Sequence, residues 1–155
     1  MRCTPAWFLF IAFASSLLAK PPNVVLIMAD DLGWGDLGCY GSTQNKTPRI
    51  DQLAKQGMRF EQFYVAQAVC TSSRCALLTG CYPNRLGLGG TALPPASKLG
   101  LNNEEETVAE LFRRAGYRTG VVGKWHLGDA VTFLPDKQGF DESLIIPYSN
   151  DMWPL

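Results

Sequence analysis

An apolar run near the start of the chain constrains the fold more than any other feature. The run, Asn23–Met28 with the sequence NVVLIM, follows Pro21-Pro22 and ends just before Asp30-Asp31. A strand with one face in solvent alternates apolar and polar residues, whereas a strand covered on both faces stays apolar. Strands covered on both faces belong mainly to parallel sheets flanked by helices. The run therefore predicts a buried strand of an α/β fold.

The rest of the chain continues with predicted helices and strands in alternation. In order, these are a helix from Thr47-Pro48 to Gly57, a strand over 58–65, a helix over Ser73–Thr79, a helix over Glu104–Ala115 whose first turn carries the acidic run 104–106, and a strand over 117–123. Beyond residue 123 the hydrophobic pattern has no clear period. Alternating strands and helices predict an α/β fold with a mainly parallel sheet.

The first 19 residues are typical of a targeting segment. Arg2 precedes an apolar stretch from Ala6 to Ala19, and Lys20-Pro21 follows the small residue at its end. This layout predicts a signal peptide over 1–19 and a secreted or periplasmic protein, because a spanning helix needs about 20 apolar residues. An uncleaved membrane anchor is the alternative. No later stretch is long enough for stable membrane insertion.

The charge balance excludes one class of partner. Fourteen Lys and Arg residues match fourteen Asp and Glu residues, and the charges are scattered along the chain. A protein that binds nucleic acid through its phosphates needs a net or clustered positive charge. We therefore expect no nucleic-acid partner.

Polar side chains follow the predicted strands at the point where each strand ends. In parallel sheets, binding sites form beyond the carboxyl ends of the strands. Asp30 and Asp31 follow the first strand, and a divalent cation would relieve the repulsion between their carboxylates. Two carboxylates do not complete a Ca²⁺ or Mg²⁺ shell, and a pair of Asp residues in a turn or helix cap is the alternative.

Lys124 and His126 lie after the last predicted strand. Because side chains alternate along a strand, residues 124 and 126 would face the same way and could meet one anion. Lys124 would then act as a point charge and His126 as an acid or base, unless the two form an ordinary surface pair. His126 is the single histidine of the chain, which excludes a zinc site built from several histidines.

Cys70 begins the cluster CTSSRC, which lies at the start of a predicted helix. A zinc site with Cys39, Cys75 and Cys81 is disfavoured, because the spacings lack a close pair on each side. A disulfide among these cysteines and a reactive thiol both stay open. The helix amides and Arg74 would also bind a tetrahedral oxyanion, and this chemistry does not separate phosphate from sulfate.

Four segments in the same order resemble one protein family. They are PNVVLIMADDLGWGDLGCYG, CTSSRCALLTGCYPNR, GYRTGVVGKWHLG and GFDESLIIPYSNDMWP. Together they are similar to the N-terminal part of type I sulfatases, of the arylsulfatase A and N-acetylgalactosamine-6-sulfatase kind. The resemblance implies an alkaline-phosphatase-like α/β fold that is incomplete in this chain, with 22–155 as the N-terminal part of a longer catalytic domain.

The resemblance also implies a mechanism and its residues. Cys70 would be oxidised by a formylglycine-generating enzyme, and the aldehyde hydrate would attack the sulfur of a sulfated small molecule or sugar. The implied metal ligands, for Ca²⁺ or Mg²⁺, are Asp30, Asp31 and the modified Cys70. Arg74 and Lys124 would stabilise the charges of the formylglycine and the sulfate. His126 would assist elimination of the sulfate.

The resemblance also implies that Ser149 contacts the sulfate, because Ser149 matches a serine of the family that approaches the sulfate. One departure from the family lies at Ser72, where the modification signal has Pro or Ala. The sequence leaves two other functions open. One is a phosphate or phosphonate monoester hydrolase of the same superfamily, and the other is a non-catalytic remnant with an unmodified Cys70.

Overall fold

The computed structural model of this chain describes residues 20–152. The signal peptide predicted over 1–19 lies outside the described residues and stays a prediction. The chain divides into two units, one ending at Asp31 and the other beginning at Leu32. None of the helices formed by residues 20–152 is long and apolar enough to cross a bilayer.

The apolar run of the first unit has no strand partner among the described residues. Residues 20–29 form no regular secondary structure, and the side chain of Val25 is 81% exposed. The strand predicted at Asn23–Met28 is therefore wrong for this structure. An apolar run becomes a strand only where a neighbouring strand supplies backbone hydrogen bonds, and composition alone does not provide that partner.

The second unit begins with two short 3₁₀ turns and helix α1, Pro48–Gln56. This helix confirms the prediction from Thr47-Pro48 to Gly57, although Thr47 does not cap it in the usual way. The Thr47 hydroxyl donates to Asp51 Oδ1 at 2.9 Å and accepts from the Gly38 amide at 2.8 Å. Asp51 Oδ1 also accepts from the Cys39 amide at 2.7 Å, so the side chains of Thr47 and Asp51 bind the preceding turn to α1.

The aromatic segment after α1 is not a strand. Residues 58–65 have an irregular backbone, and Phe63 and Tyr64 are exposed. The prediction of a strand over 58–65 is thus wrong. Its alternation of apolar and polar residues was only partial, and in this structure neither face of the segment is buried.

Helix α2 spans Cys70–Thr79 and ends at Gly80, whose backbone is left-handed with φ 68°. It begins three residues earlier than predicted, since Val69 has an extended backbone and precedes the first helical residue. Left-handed residues commonly end helices, and glycine adopts that conformation without a steric penalty. The predicted stop at Gly80 is confirmed.

Helix α3 is shorter than its hydrophobic pattern predicted. It spans Val108–Arg114, and the acidic run 104–106 precedes it in a turn instead of forming its first turn. The Thr107 hydroxyl accepts from the Glu110 amide at 3.2 Å, and Glu110 Oε2 accepts from the Thr107 amide at 2.8 Å. This reciprocal capping box fixes the helix start. The sequence contains the matching pattern, Thr-x-x-Glu, but the predicted helix start was placed at the acidic run instead.

The sheet of the described residues has two parallel strands, β1 over Gly120–Lys124 and β2 over Glu142–Ile146. Strand β1 begins and ends slightly later than the predicted strand over 117–123, and β2 was not predicted. Lys124 pairs with Ile146, so the carboxyl ends of both strands lie at the same edge. The parallel pairing agrees with the predicted fold class.

The core lies beside this edge of the sheet. Its fully buried members are Cys75, Leu88, Leu93, Leu101, Trp125 and Leu127. They come from α2, from the loop between α2 and α3, and from the segment that follows β1. The core therefore holds together three parts of the chain, and two of them, α2 and the segment after β1, also carry predicted site residues.

Candidate active site

Cys70 is the first residue of α2. The amides of a first helical turn have no partner within the helix, so they can bind an anion placed at the helix start. Arg74 follows one helical turn later, and residues four apart lie on the same face of a helix. The local sequence therefore places a thiol and a guanidinium on one side of α2.

Lys124 contacts three of the other predicted site residues. It is the last residue of β1, and its Nζ lies 3.2 Å from Cys70 Sγ and 3.2 Å from Ser149 Oγ. Its backbone carbonyl accepts a hydrogen bond from Arg74 Nη1 at 2.5 Å. The structure thus brings Cys70, Arg74, Lys124 and Ser149 into one contact network at the carboxyl end of β1.

His126 lies in the same region but contacts different groups. Its side chain is 0% exposed, its Nε2 is 3.0 Å from the Leu93 carbonyl oxygen, and its ring packs edge-to-face against Tyr148. The prediction that residues 124 and 126 face the same way, as alternate residues of a strand do, does not extend to His126. Strand β1 ends at Lys124, and His126 has a left-handed backbone with φ 58°. Such a backbone costs a non-glycine residue about 1–3 kcal/mol and has to be held by its surroundings.

The two hydroxyls that follow Cys70 face inward. Thr71 Oγ1 donates to the His126 carbonyl at 2.8 Å and accepts from the Leu93 amide at 3.1 Å. Ser72 Oγ donates to the Leu88 carbonyl at 2.6 Å, and the Thr91 amide donates to it at 3.3 Å. Ser72, which departs from the family signal, therefore makes backbone contacts that a Pro or Ala side chain cannot make.

Asp151 is a member of this region that the sequence analysis missed. A hydrogen bond with the Ser149 side chain is the main cause that lowers the pKa of Asp151, followed by its own backbone amide and by the nearby Lys124 and His126. Asp151 lies in the 3₁₀ turn Asn150–Met152, two residues after Ser149. Its only sequence signal was an acidic residue in the segment PYSND, where no periodicity predicts side-chain directions.

Asp30 and Asp31 belong to the unit that ends at Asp31, and Asp31 has a left-handed backbone with φ 55°. Within residues 20–152, no three or more His, Cys, Asp or Glu side chains are grouped so that they could hold a metal ion. The described residues therefore do not complete a metal shell by themselves. The assignment of Asp30, Asp31 and Cys70 as metal ligands stays a prediction.

The four cysteines of the described chain are free thiols. Cys75 is 0% exposed, and burial raises its pKa from 9.0 to about 11, whereas Cys39, Cys70 and Cys81 are partly exposed. The open alternative of a disulfide among them has no support in this structure. Cys75 instead packs in the core.

We expect iodoacetamide at neutral pH to modify Cys75 far more slowly than Cys39 and Cys81, because a buried neutral thiol is a poor nucleophile. Peptide mass spectrometry after a timed reaction measures each site. Denatured chain is the control, in which all cysteines should react alike. Equal labelling of Cys75 and Cys81 in the folded chain would contradict the buried position of Cys75.

Comparison with known proteins identifies the family. The sulfatase family model matches residues 22–154, which is most of the chain. The chain belongs to the sulfatase family. It is 54% identical over 149 residues to human arylsulfatase A, covering 94% of this chain and 29% of that protein. It is also 47% identical over 130 residues to rat N-acetylgalactosamine-6-sulfatase, covering 79% of this chain and 25% of the relative.

Solved structures give the same result for the fold. The structure of Ps i-CgsB superposes with a TM-score of 0.79 at 43% identity, over 83% of this chain and 28% of that one. BT4656, solved in complex with its substrate D-glucosamine-2-N,6-O-disulfate, superposes with a TM-score of 0.67 at 33% identity, over 80% of this chain and 23% of that one. The predicted alkaline-phosphatase-like sulfatase fold is therefore confirmed. The chain spans less than a third of the length of these sulfatases.

Proposed function

We propose that this chain contributes the nucleophile and the sulfate-binding cations of a sulfuric ester hydrolase that cleaves sulfate monoesters. The observation that carries the proposal is the position of Lys124 Nζ, which is 3.2 Å from both Cys70 Sγ and Ser149 Oγ. An ammonium in contact with both a nucleophile and a hydroxyl oxygen is suited to bind a tetrahedral anion next to that nucleophile.

The proposed nucleophile is formylglycine made from Cys70 by a formylglycine-generating enzyme. Its aldehyde adds water to form a hydrate with two hydroxyls, and the Sγ position in this structure stands for one of those oxygens. That hydroxyl forms a bond to sulfur while the bond between sulfur and the alcohol oxygen breaks. The alcohol leaves with a proton. The second hydroxyl then loses its proton, the carbon–sulfate bond breaks, and sulfate leaves as the aldehyde is restored.

The other residues have separate tasks in this scheme. Lys124 and Arg74 stabilise negative charge on the sulfate and the hydrate, and the Arg74 contact with the Lys124 carbonyl sets their separation. Ser149 approaches the sulfate. His126 takes up the proton of the second hydroxyl. The roles of Lys124 and Arg74 are supported by the contacts described above and by electrostatic principles. Those of Ser149 and His126 rest on the resemblance to the family and on general acid–base principles.

Asp30 and Asp31, with the modified Cys70, would hold Ca²⁺, or Mg²⁺ in its place, since carboxylate oxygens are the ligands that both ions prefer. When bound, the cation would supply positive charge that stabilises the negative charge of the sulfate. The remaining ligands would come from parts of a sulfatase domain beyond residues 20–152. We further propose that residues 1–19 direct the protein to a secreted or periplasmic location.

The substrate class follows from the relatives. Their names include arylsulfatase, steryl-sulfatase and N-acetylgalactosamine-6-sulfatase, and one solved neighbour holds a disulfated glucosamine. We therefore propose a sulfated small molecule or sugar as the substrate of the whole protein.

We expect the Cys70 peptide of the exported chain to lose about 18 Da, because –SH and –H are replaced by =O instead of oxygen being added to sulfur. Mass spectrometry of the chain, co-expressed with a formylglycine-generating enzyme, measures this loss. The turnover arm uses a hybrid in which residues 22–152 replace the matching part of human arylsulfatase A. It should hydrolyse an aryl sulfate faster than the corresponding aryl phosphate.

A Cys70→Ala hybrid is the matched control and should hydrolyse neither ester. A converted Cys70 with faster phosphate hydrolysis would replace the sulfatase proposal with a phosphatase. An unmodified Cys70 peptide would contradict the formylglycine mechanism and support a non-catalytic chain.

A further inference from the structure

We propose that Thr71 is a positioning residue that holds His126 as the neutral tautomer protonated on Nε2. The inference deepens the proposed function, because it states which nitrogen of His126 is available to take up a proton. It rests on two contacts between buried groups, one at the imidazole ring and one at the backbone.

The contact at the ring selects the tautomer. His126 Nε2 lies 3.0 Å from the Leu93 carbonyl oxygen. A carbonyl oxygen only accepts hydrogen bonds, so this contact is a hydrogen bond only when Nε2 carries the proton. In the neutral imidazole the other nitrogen, Nδ1, then carries the lone pair. The Leu93 carbonyl thereby assigns Nδ1 as the basic atom of His126.

The contact at the backbone holds both partners of that hydrogen bond. One hydroxyl, Thr71 Oγ1, donates to the His126 carbonyl at 2.8 Å and accepts from the Leu93 amide at 3.1 Å. Thr71 and His126 are 0% exposed and Leu93 is 1% exposed, so water does not replace these bonds. The residue that supplies the carbonyl and the residue that carries the ring are thus bound to the same side-chain oxygen.

The left-handed backbone of His126 explains why such a bond is needed. A φ of 58° is uncommon for a residue with a side chain and directs the carbonyl away from the course of β1. The Thr71 hydroxyl donates a hydrogen bond to that carbonyl. Tyr148 lies edge-on to the His126 ring at a centroid distance of 6.2 Å. The hydroxyl therefore stabilises a conformation that the strand itself does not favour.

The placement of Thr71 couples two parts of the proposed site. Thr71 directly follows Cys70 in the first turn of α2. Cys70 presents the nucleophile, and the side chain of Thr71 holds His126. A change in the start of α2 would therefore move both groups together. Loss of the hydroxyl would instead release His126 and leave Cys70 in place.

His126 is the single histidine of the 155 residues, which makes the test direct. Two-bond ¹H–¹⁵N correlation of the ¹⁵N-labelled chain, at a pH above the usual imidazole range, assigns the protonated nitrogen. Nε2 couples to both ring carbon protons, whereas Nδ1 couples strongly to one. We expect a pyrrole-like shift at Nε2 and a pyridine-like shift at Nδ1. A protonated Nδ1, or averaged shifts, in the wild-type chain overturns the tautomer assignment.

Three variants test the part played by Thr71. Thr71→Val keeps the shape and removes the hydroxyl, so the single pattern should be lost and averaged shifts should appear. Thr71→Ser should restore the wild-type pattern. Thr107→Val is the matched control, since Thr107 is also 0% exposed. Its hydroxyl also joins two segments: it donates to the Gln138 carbonyl at 2.8 Å and accepts from the Glu110 amide. It should be destabilised without any change at His126.

The wild-type pattern in a folded Thr71→Val chain overturns the positioning role. If that variant does not fold, hydrogen exchange of the wild-type chain decides. The Leu93 amide, bound to Thr71 Oγ1, should exchange at least about tenfold more slowly than the amides of exposed loops, and unprotected exchange overturns the proposal. None of these measurements needs a converted Cys70 or a substrate. Their failure is therefore distinguishable from failure of the proposed sulfatase activity.

Discussion

Replacing Lys124 with Ala in the hybrid enzyme should lower kcat/KM for an aryl sulfate by about 10²–10³-fold, the usual cost of removing one preorganised charge-stabilising donor. Lys124 Nζ lies between Cys70 Sγ and Ser149 Oγ, so its loss removes the cation nearest the proposed attacking atom. The Lys124 backbone carbonyl is retained in the variant. The Arg74 hydrogen bond to that carbonyl therefore persists, and the effect belongs to the ammonium.

Steady-state kinetics on the wild-type and variant hybrids measure this effect. Lys137→Ala is the control, because Lys137 is half exposed and pairs with Asp136 on the surface. It should leave kcat/KM within about twofold, as exposed ion pairs contribute little. A Lys124→Ala hybrid as active as the Lys137→Ala hybrid, with both folded, would remove Lys124 from the proposed mechanism.

The largest effect on stability is expected from Leu101→Ala in the 155-residue chain. Leu101 is 0% exposed, lies in the core beside the site, and donates its amide to the Leu127 carbonyl at 2.9 Å. Truncation of a buried leucine leaves a cavity and lowers the free energy of unfolding by about 2–5 kcal/mol. That is a large share of the 5–15 kcal/mol or so that stabilises a typical domain.

Leu99→Ala is the matched control, two residues earlier in the same loop. Its side chain is 57% exposed, so the same chemical change should alter the free energy of unfolding by less than about 0.5 kcal/mol. Urea denaturation followed by circular dichroism gives both values. Equal losses in the two variants would show that Leu101 is not part of a packed core.

The sequence predicted the helices better than the strands. Helix α1 and the end of α2 were recognised from residues that act locally, Pro48 at a helix start and Gly80 at a helix stop. The strands predicted at 23–28 and 58–65 do not form in the described structure, and β2 was overlooked. Strand formation depends on a hydrogen-bonding partner elsewhere in the chain, and the pattern of one segment does not show that partner.

The candidate site shows the same division. Cys70 with Arg74 was recognised at the start of a predicted helix, and Lys124 with His126 after a predicted strand. Ser149 was added by family resemblance. Thr71 and Asp151 were missed, since their partners are distant in sequence or depend on a loop backbone. Thr71 binds His126, 55 positions away, and a hydroxyl in a motif does not indicate whether it faces solvent or core.

The α/β class, the family and the residue types of the site could be read from the amino-acid sequence, because these depend on local patterns and ordered motifs. Three contacts are visible only in the folded chain: Lys124 with Cys70 and Ser149, Ser72 with the backbone of a loop, and Thr71 with the backbone carbonyl of the left-handed His126. Each of these contacts joins segments at least 16 positions apart. Their distances are set by how α2, β1 and the loops pack around one core.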